Sequence, residues 1–234
     1  MEDNVVVLEV NKEDENNKVA ETPNEIKLSS IASDAIAALL KTVKITEYSK
    51  AAELTDIIKT RSIVIGDIDE DTGSIVDNYI RFWNSYDKEL NIPIKDRTPI
   101  KICVDSNGGD LRSTLTIINA IENSQTPVWT VNLGKAFSGG FLIMLAGHRR
   151  MAYKYASFLF HEGSTGVQSD ANKFQNYADH YKALRALMKQ IILEKTKLTE
   201  ADYTEKEKDD WWFMVPEALE KGVIDEIAVG DWYC

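Results

Sequence analysis

Ser138 stands in GKAFSGG (134–140), at the join between a β-rich run and an apolar helical run. A serine there would sit at the N-terminus of a helix, facing free backbone N–H groups and the positive end of the helix dipole. Such a place suits a nucleophile that attacks a carbonyl, because the tetrahedral intermediate carries an oxyanion. It equally suits a serine that only caps the helix. The local residues leave both readings open.

A nucleophilic serine needs a base, and the chain has three histidines. His148 lies in AGHRRM and reads as an exposed turn residue. His180 lies in NYADHYKAL, in the middle of a helical stretch. His161 ends the apolar strand ASFLFHEG, where a strand hands over to a loop. A polar side chain at such an edge is either a hydrogen-bonded structural group or part of a site. The base in turn needs an orienting acid. Among 38 Asp and Glu residues, Asp209 and Asp210 stand out because they abut Trp211, Trp212 and Phe213. A carboxylate beside such a cluster is expected to be partly buried and to seek a donor such as imidazolium. The alternative is an exposed pair that caps the next turn.

Two glycines in DSNGGDL (105–111) follow an apolar strand. They let the backbone approach a ligand closely, and a free N–H there would be a second oxyanion donor beside that of Gly139. The alternative is an ordinary strand-to-helix turn. No Cys/His cluster has metal-ligand spacing, and neither a P-loop nor a dinucleotide fingerprint occurs. Neither a metal nor a cofactor is expected.

The elements that must position these residues alternate from about residue 55. Strands are predicted at 61–68, 98–106, 127–134, 149–154 and 157–163, and helices at 74–86, 108–124 and after Ser138. This order implies an α/β fold with a mainly parallel sheet. A long helix is predicted at about 170–197, with Phe174, Tyr177, Tyr181, Leu184, Met188 and Ile191 on one stripe that suits core or subunit interface. Thr199 with Asp202 predicts a capping box, and Gly222 a helix stop before a final strand. Residues 1–45 are acidic, lack aromatics, and read as an N-terminal extension, flexible or a propeptide. Residues 46–234 read as the folded domain.

The net charge of −11 argues against nucleic-acid or anionic-membrane partners. The longest apolar run, FLIMLA (141–146), is far short of the roughly 20 residues that span a bilayer. The start is acidic and lacks the basic region of a signal peptide. Two cysteines make no disulfide framework, so a reducing cytoplasm is the simple reading.

Together these pieces resemble the Clp protease proteolytic subunit (ClpP) family of serine peptidases. The resemblance runs from about residue 54 to 228: SNGGD at 106–110, GKAFSGG at 134–140, FLFHEG at 158–163 and DDWWFMVPEALEKGVIDEI at 209–227, all in the family's order. It implies the ClpP/crotonase fold, with repeated β-β-α units and a protruding handle helix. It also implies Ser138 as nucleophile, His161 as general base and acid, and Asp210 as orienting acid. Asp210 is preferred over Asp209 because it lies six positions before Pro216. The oxyanion donors would be the N–H groups of Gly109 and Gly139. Heptameric rings paired through the handle, an AAA+ unfoldase partner and polypeptide substrates are further implications.

The sequence departs from the family's pattern at three places. Asn107 replaces a usual proline, which predicts a looser turn. Gly139 replaces Met or another larger residue, which predicts a lost pocket wall. Glu162-Gly163 replaces Gln-Pro and sets a negative charge beside the base, where it would raise the histidine pKa. These departures suggest a divergent member, of the kind a phage or mobile element carries. Rival readings are a catalytically silent ring subunit and a crotonase-type acyl-CoA enzyme. An α/β-hydrolase is disfavoured, because its order is Ser, Asp, His and no histidine follows His180 here.

Overall fold

The apolar run IKICV becomes the middle of a strand with parallel neighbours on both sides. In the computed structural model, which describes residues 60–163 and 170–230, this is β2 (Ile100–Ser106), between β1 (Ser62–Ile65) and β3 (Val128–Phe137). Ile102 and Val104 belong to the main core, whereas Cys103 joins Val131 and Met151 in a smaller cluster. All three β2 residues are fully buried, which is the double burial that near-continuous hydrophobicity predicts. Burying such a side chain contributes about 1.5–3 kcal/mol.

The order continues with β4 (Arg149–Tyr153), β5 (Ser157–Phe160), β6 (Trp211–Met214) and β7 (Glu226–Ala228). Strands β1, β2, β3, β4 and β7 form a parallel run in that spatial order. The helices between them are α1 (Thr72–Glu89), α2 (Leu111–Glu122) and α3 (Gly139–Ala146). The long α4 (Ala171–Lys195) and short α5 (Glu200–Lys206) and α6 (Val215–Glu220) follow. The mainly parallel α/β arrangement is the expected one. The capping box of Thr199 and Asp202 opens α5, and Gly222 follows α6 at φ 69°. The expected extension over 1–45 lies outside the described residues.

Strand β3 runs on past Gly134, where the sequence pattern ends it. Its first part, Trp129–Asn132, pairs with β4, and its last part, Lys135–Phe137, pairs with β5. Between them the β2 register shifts, from Val104 opposite Asn132 to Ser106 opposite Ala136. This is a bulge, and it re-aims the end of β3. Buried Asn132 stabilises it, accepting from Gly134 N–H at 3.1 Å and donating to the Ser157 carbonyl at 2.8 Å.

Strand β6 was not expected from the sequence. It pairs antiparallel with β5, and Trp211 and Phe213 are buried while Trp212 and Met214 are exposed. The acidic residues before it mask this short alternation.

An ion pair is buried beside the start of β1. Arg61 binds both oxygens of fully buried Asp87, at 2.7 and 2.9 Å, and lies 4.2 Å over the Trp83 ring. Thr126 Oγ1 donates to the same carboxylate at 2.8 Å. Among the described residues, no helix is long and apolar enough to cross a membrane.

Candidate active site

Ser138 closes β3 and opens α3, and its backbone is unusual. Its φ of 53° and ψ of −116° are sparsely populated for a residue with a side chain. Such strain persists only where the surroundings enforce it. Here the Ser138 N–H donates to the Leu159 carbonyl of β5 at 2.8 Å, and Leu142 N–H returns to the Ser138 carbonyl at 3.2 Å. The hydroxyl makes no capping bond. The capping reading therefore fails, and a strained turn presents an uncommitted hydroxyl.

That hydroxyl borders a cavity of about 560 Å³. Gly109, Gly139 and His161 line the same cavity. Asp210 does not line it, but lies behind His161. Phe160 pairs with Trp211 across β5 and β6, so one further antiparallel step sets His161 opposite Asp210. The Nδ1 to Oδ1 separation is 3.9 Å, longer than a hydrogen bond. Asp210 is also 59% exposed, where partial burial was expected. Its neighbour Trp211 turns inward to the core, and the carboxylate is left on the outer side.

The Gly-Gly turn approaches Ser138 closely. A Cβ on Gly108 would lie 2.6 Å from Ser138 Cβ and 3.0 Å from the Gly139 nitrogen. Gly109 has φ 146°, and a Cβ there would collide with the Ile68 carbonyl. Ile68 N–H donates to the Gly108 carbonyl at 2.9 Å, and Asp110 N–H donates to the Ile68 carbonyl at 2.8 Å. This ladder spends neither the Gly109 N–H nor the Gly139 N–H. Neither N–H has a hydrogen-bond acceptor among the described residues, and Gly109, Ser138 and Gly139 all line the cavity.

The turn is also not loose. Asn107 N–H, which a proline would lack, donates to Asp67 Oδ1 at 2.9 Å, and its Nδ2 donates to the same oxygen at 3.0 Å. Nor is a wall missing at Gly139. A Cβ there would meet Thr114 Oγ1 at 2.5 Å and Ile68 Cδ1 at 3.1 Å. Thr114 lines the cavity, held by its bond to the Asp110 carbonyl at 2.8 Å. The space for a larger residue at 139 is already filled from α2.

Helix α4 covers the other side of the cavity. Tyr177, Tyr181 and Leu184 of the predicted stripe line it, as does His180. Only Met188 and Ile191 of that stripe are buried in the core, and Phe174 is 52% exposed. The stripe therefore serves core, as expected, and cavity in turn. Glu162 forms an ion pair with Arg185 of α4. His148 lies away from this cavity, and its Nδ1 accepts from Val128 N–H at 2.9 Å, a structural role.

The Clp protease family model matches residues 54–231. The chain belongs to the Clp protease family. Relatives named ATP-dependent Clp protease proteolytic subunit 2 match at low identity. That of Treponema denticola is 29% identical over 56% of this chain, and that of Treponema pallidum 28% over 55%. The alignments span 66% of each of those relatives, just under two thirds of their length. The subunit of Borreliella burgdorferi is 27% identical over 74% of this chain and 84% of its own length. The Clp protease family match takes in all five candidate site residues, as well as Thr114 and Asp67, which the sequence does not single out. Thr114 carries no signal beyond helical spacing. Asp67 lies in GDIDEDTG, where acids are too frequent for one to stand out.

Proposed function

We propose that this chain is the proteolytic subunit of a Clp-type serine endopeptidase, cleaving peptide bonds through an acyl-enzyme on Ser138. One observation carries the reading. Ser138, its hydroxyl uncapped on a strained turn, lines one cavity with His161 and with Gly109 and Gly139, whose N–H groups are unspent. His161 takes the Ser138 proton as Oγ attacks the scissile carbonyl, and then gives it to the leaving amine. The N–H groups of Gly109 and Gly139 receive the oxyanion. Asp210 orients the imidazole and stabilises its charged form. Water then attacks the acyl-enzyme by the reverse route, with His161 again as base.

The family relationship supports further parts of the proposal: heptameric rings, paired through α4 into a chamber, and an AAA+ ATPase that feeds unfolded polypeptides. A cytoplasmic location and the absence of nucleic-acid and membrane partners belong to the same reading. Residues 1–45 would be an acidic N-terminal extension or a removable propeptide.

A fluorophosphonate probe tests the chemistry, and native mass spectrometry of the labelled protein tests the assembly. Ser138 should be labelled in the wild type, while Ser138→Ala should assemble without label or peptidase activity. A second reading, a silent ring subunit, draws on the 3.9 Å gap and on the exposure of Asp210. An assembled wild type that takes no label would favour it.

A further inference from the structure

We propose that Arg185 and Tyr181 of α4 act as positioning residues for His161, through a clasp on Glu162. The inference rests on the reading of His161 as the base. His161 follows the last residue of β5, where the ladder to β6 ends. Beyond it the chain turns away at Gly163, φ 74°. Asp210 is a weak anchor for the ring at 3.9 Å and 59% exposure. The next residue has two partners on α4. The Glu162 carbonyl accepts from Tyr181 Oη at 3.1 Å, and the Glu162 carboxylate pairs with Arg185.

The clasp attaches to something rigid. Tyr181 and Arg185 are four residues apart and so share a helix face. One and two turns further along α4, Met188 is 7% exposed and Ile192 is 1% exposed. The face that grips Glu162 thus continues into the core. A Gln-Pro pair at 162–163, usual in the family, would stiffen the turn by its ring. Here glycine removes that stiffness, and the two side chains of α4 restore it from outside.

A base displaced by a fraction of an ångström abstracts a proton poorly even when it is present. Loss of the clasp should therefore slow the attack of Ser138 without unfolding the subunit. The test compares wild type, Arg185→Ala, Glu162→Gln and the exchange Glu162→Arg with Arg185→Glu, all in the assembled protein. Two readouts are taken. One is the rate of Ser138 labelling by a fluorophosphonate. The other is the imidazole spectrum of protein carrying ¹⁵N-histidine, with His161 assigned by substitution.

Arg185→Ala should label roughly 10-fold more slowly, a part of the 10²–10⁴ that a general base supplies. The exchanged pair should recover most of that rate. The His161 resonance should be single in the wild type and broadened or doubled in Arg185→Ala. Glu162→Gln keeps the Tyr181 bond and carries the same readouts if Arg185→Ala does not fold. Wild-type labelling rates together with unchanged His161 resonances in these variants would overturn the clasp. A wild type that never labels would instead count against the peptidase reading, and the His161 spectrum would still decide the clasp.

Discussion

Asp67 accepts from two donors of Asn107, its backbone N–H at 2.9 Å and its Nδ2, which reaches Oδ1 at 3.0 Å and Oδ2 at 3.4 Å. The pair ties the Gly-Gly turn to the segment after β1, so the Gly109 N–H is held by a carboxylate rather than by a proline ring. Asp67→Ala should lower kcat by about 10-fold with KM little changed, since an oxyanion donor acts mainly in the transition state. A peptide hydrolysis assay checks it, and an unchanged kcat would mean that the Ile68 ladder suffices. The Asn107 N–H, above other causes, holds the Asp67 carboxyl below its ordinary 3.8. With a lowered folded value, the tie is complete above 3.8 and is lost only as pH falls through the lower value. Activity changes across the neutral and mildly acidic range should not trace to Asp67.

Gly139→Ala should cost about 1–3 kcal/mol of stability, the usual range for overpacking. The new methyl would meet Thr114 Oγ1 at 2.5 Å. Thr114→Ala in the same chain should recover most of the loss, because the two sites share one volume. Denaturation of the single and double variants measures the coupling. Additive losses would show that the two side chains do not compete.

Acid should weaken the fold through His148. Its Nδ1 must stay unprotonated to accept from Val128 N–H. Burial first, and Lys195 next, hold its pKa below 6.5, against a smaller opposing effect of Glu122. The unfolded chain takes up this proton near 6.5 and the folded one only at lower pH. Stability from this group is thus full above 6.5 and is lost as pH falls from there through the folded value. Urea denaturation at about pH 7.5 and about pH 5.5 should show a drop that is smaller in His148→Gln.

Asp87→Ala should destabilise by about 3–5 kcal/mol, because it strands the buried Arg61 guanidinium. Replacing both residues together, as in Arg61→Met with Asp87→Leu, should cost much less. Thermal melting of the two variants separates the cases, and equal losses would show that packing matters more than charge.

Much of this architecture was legible because its signals are local. The run IKICV announces a strand buried on both faces, and Thr199 with Asp202 announces a helix start. Ser138, His161 and Asp210 each lie at an element's edge, where polar residues break apolar patterns. Adjacent aromatics do not shield Asp210, because Trp211 points inward and leaves the acid outside. The consequences of Asn107 and Gly139 are hidden in the sequence for another reason. Each is answered by a residue far along the chain, Asp67 or Thr114, and only the folded arrangement pairs them. Strand β6 is hidden because four residues are too short for alternation to stand out.

The hand-over of β3 from β4 to β5 has a consequence for how this chain can diverge. Phe137 and Leu159 are paired rungs, and the next residues carry Ser138 and the approach to His161. The spacing between the two groups is thus metered by a hydrogen-bond ladder rather than by the loops around it. Gain or loss of one codon within β3 or β5 would turn one group to the wrong face of the sheet. Length changes at the opposite ends of these strands leave the meter untouched. Lineages of this chain should hardly vary in length between Lys135 and Ser138 or between Ser157 and His161.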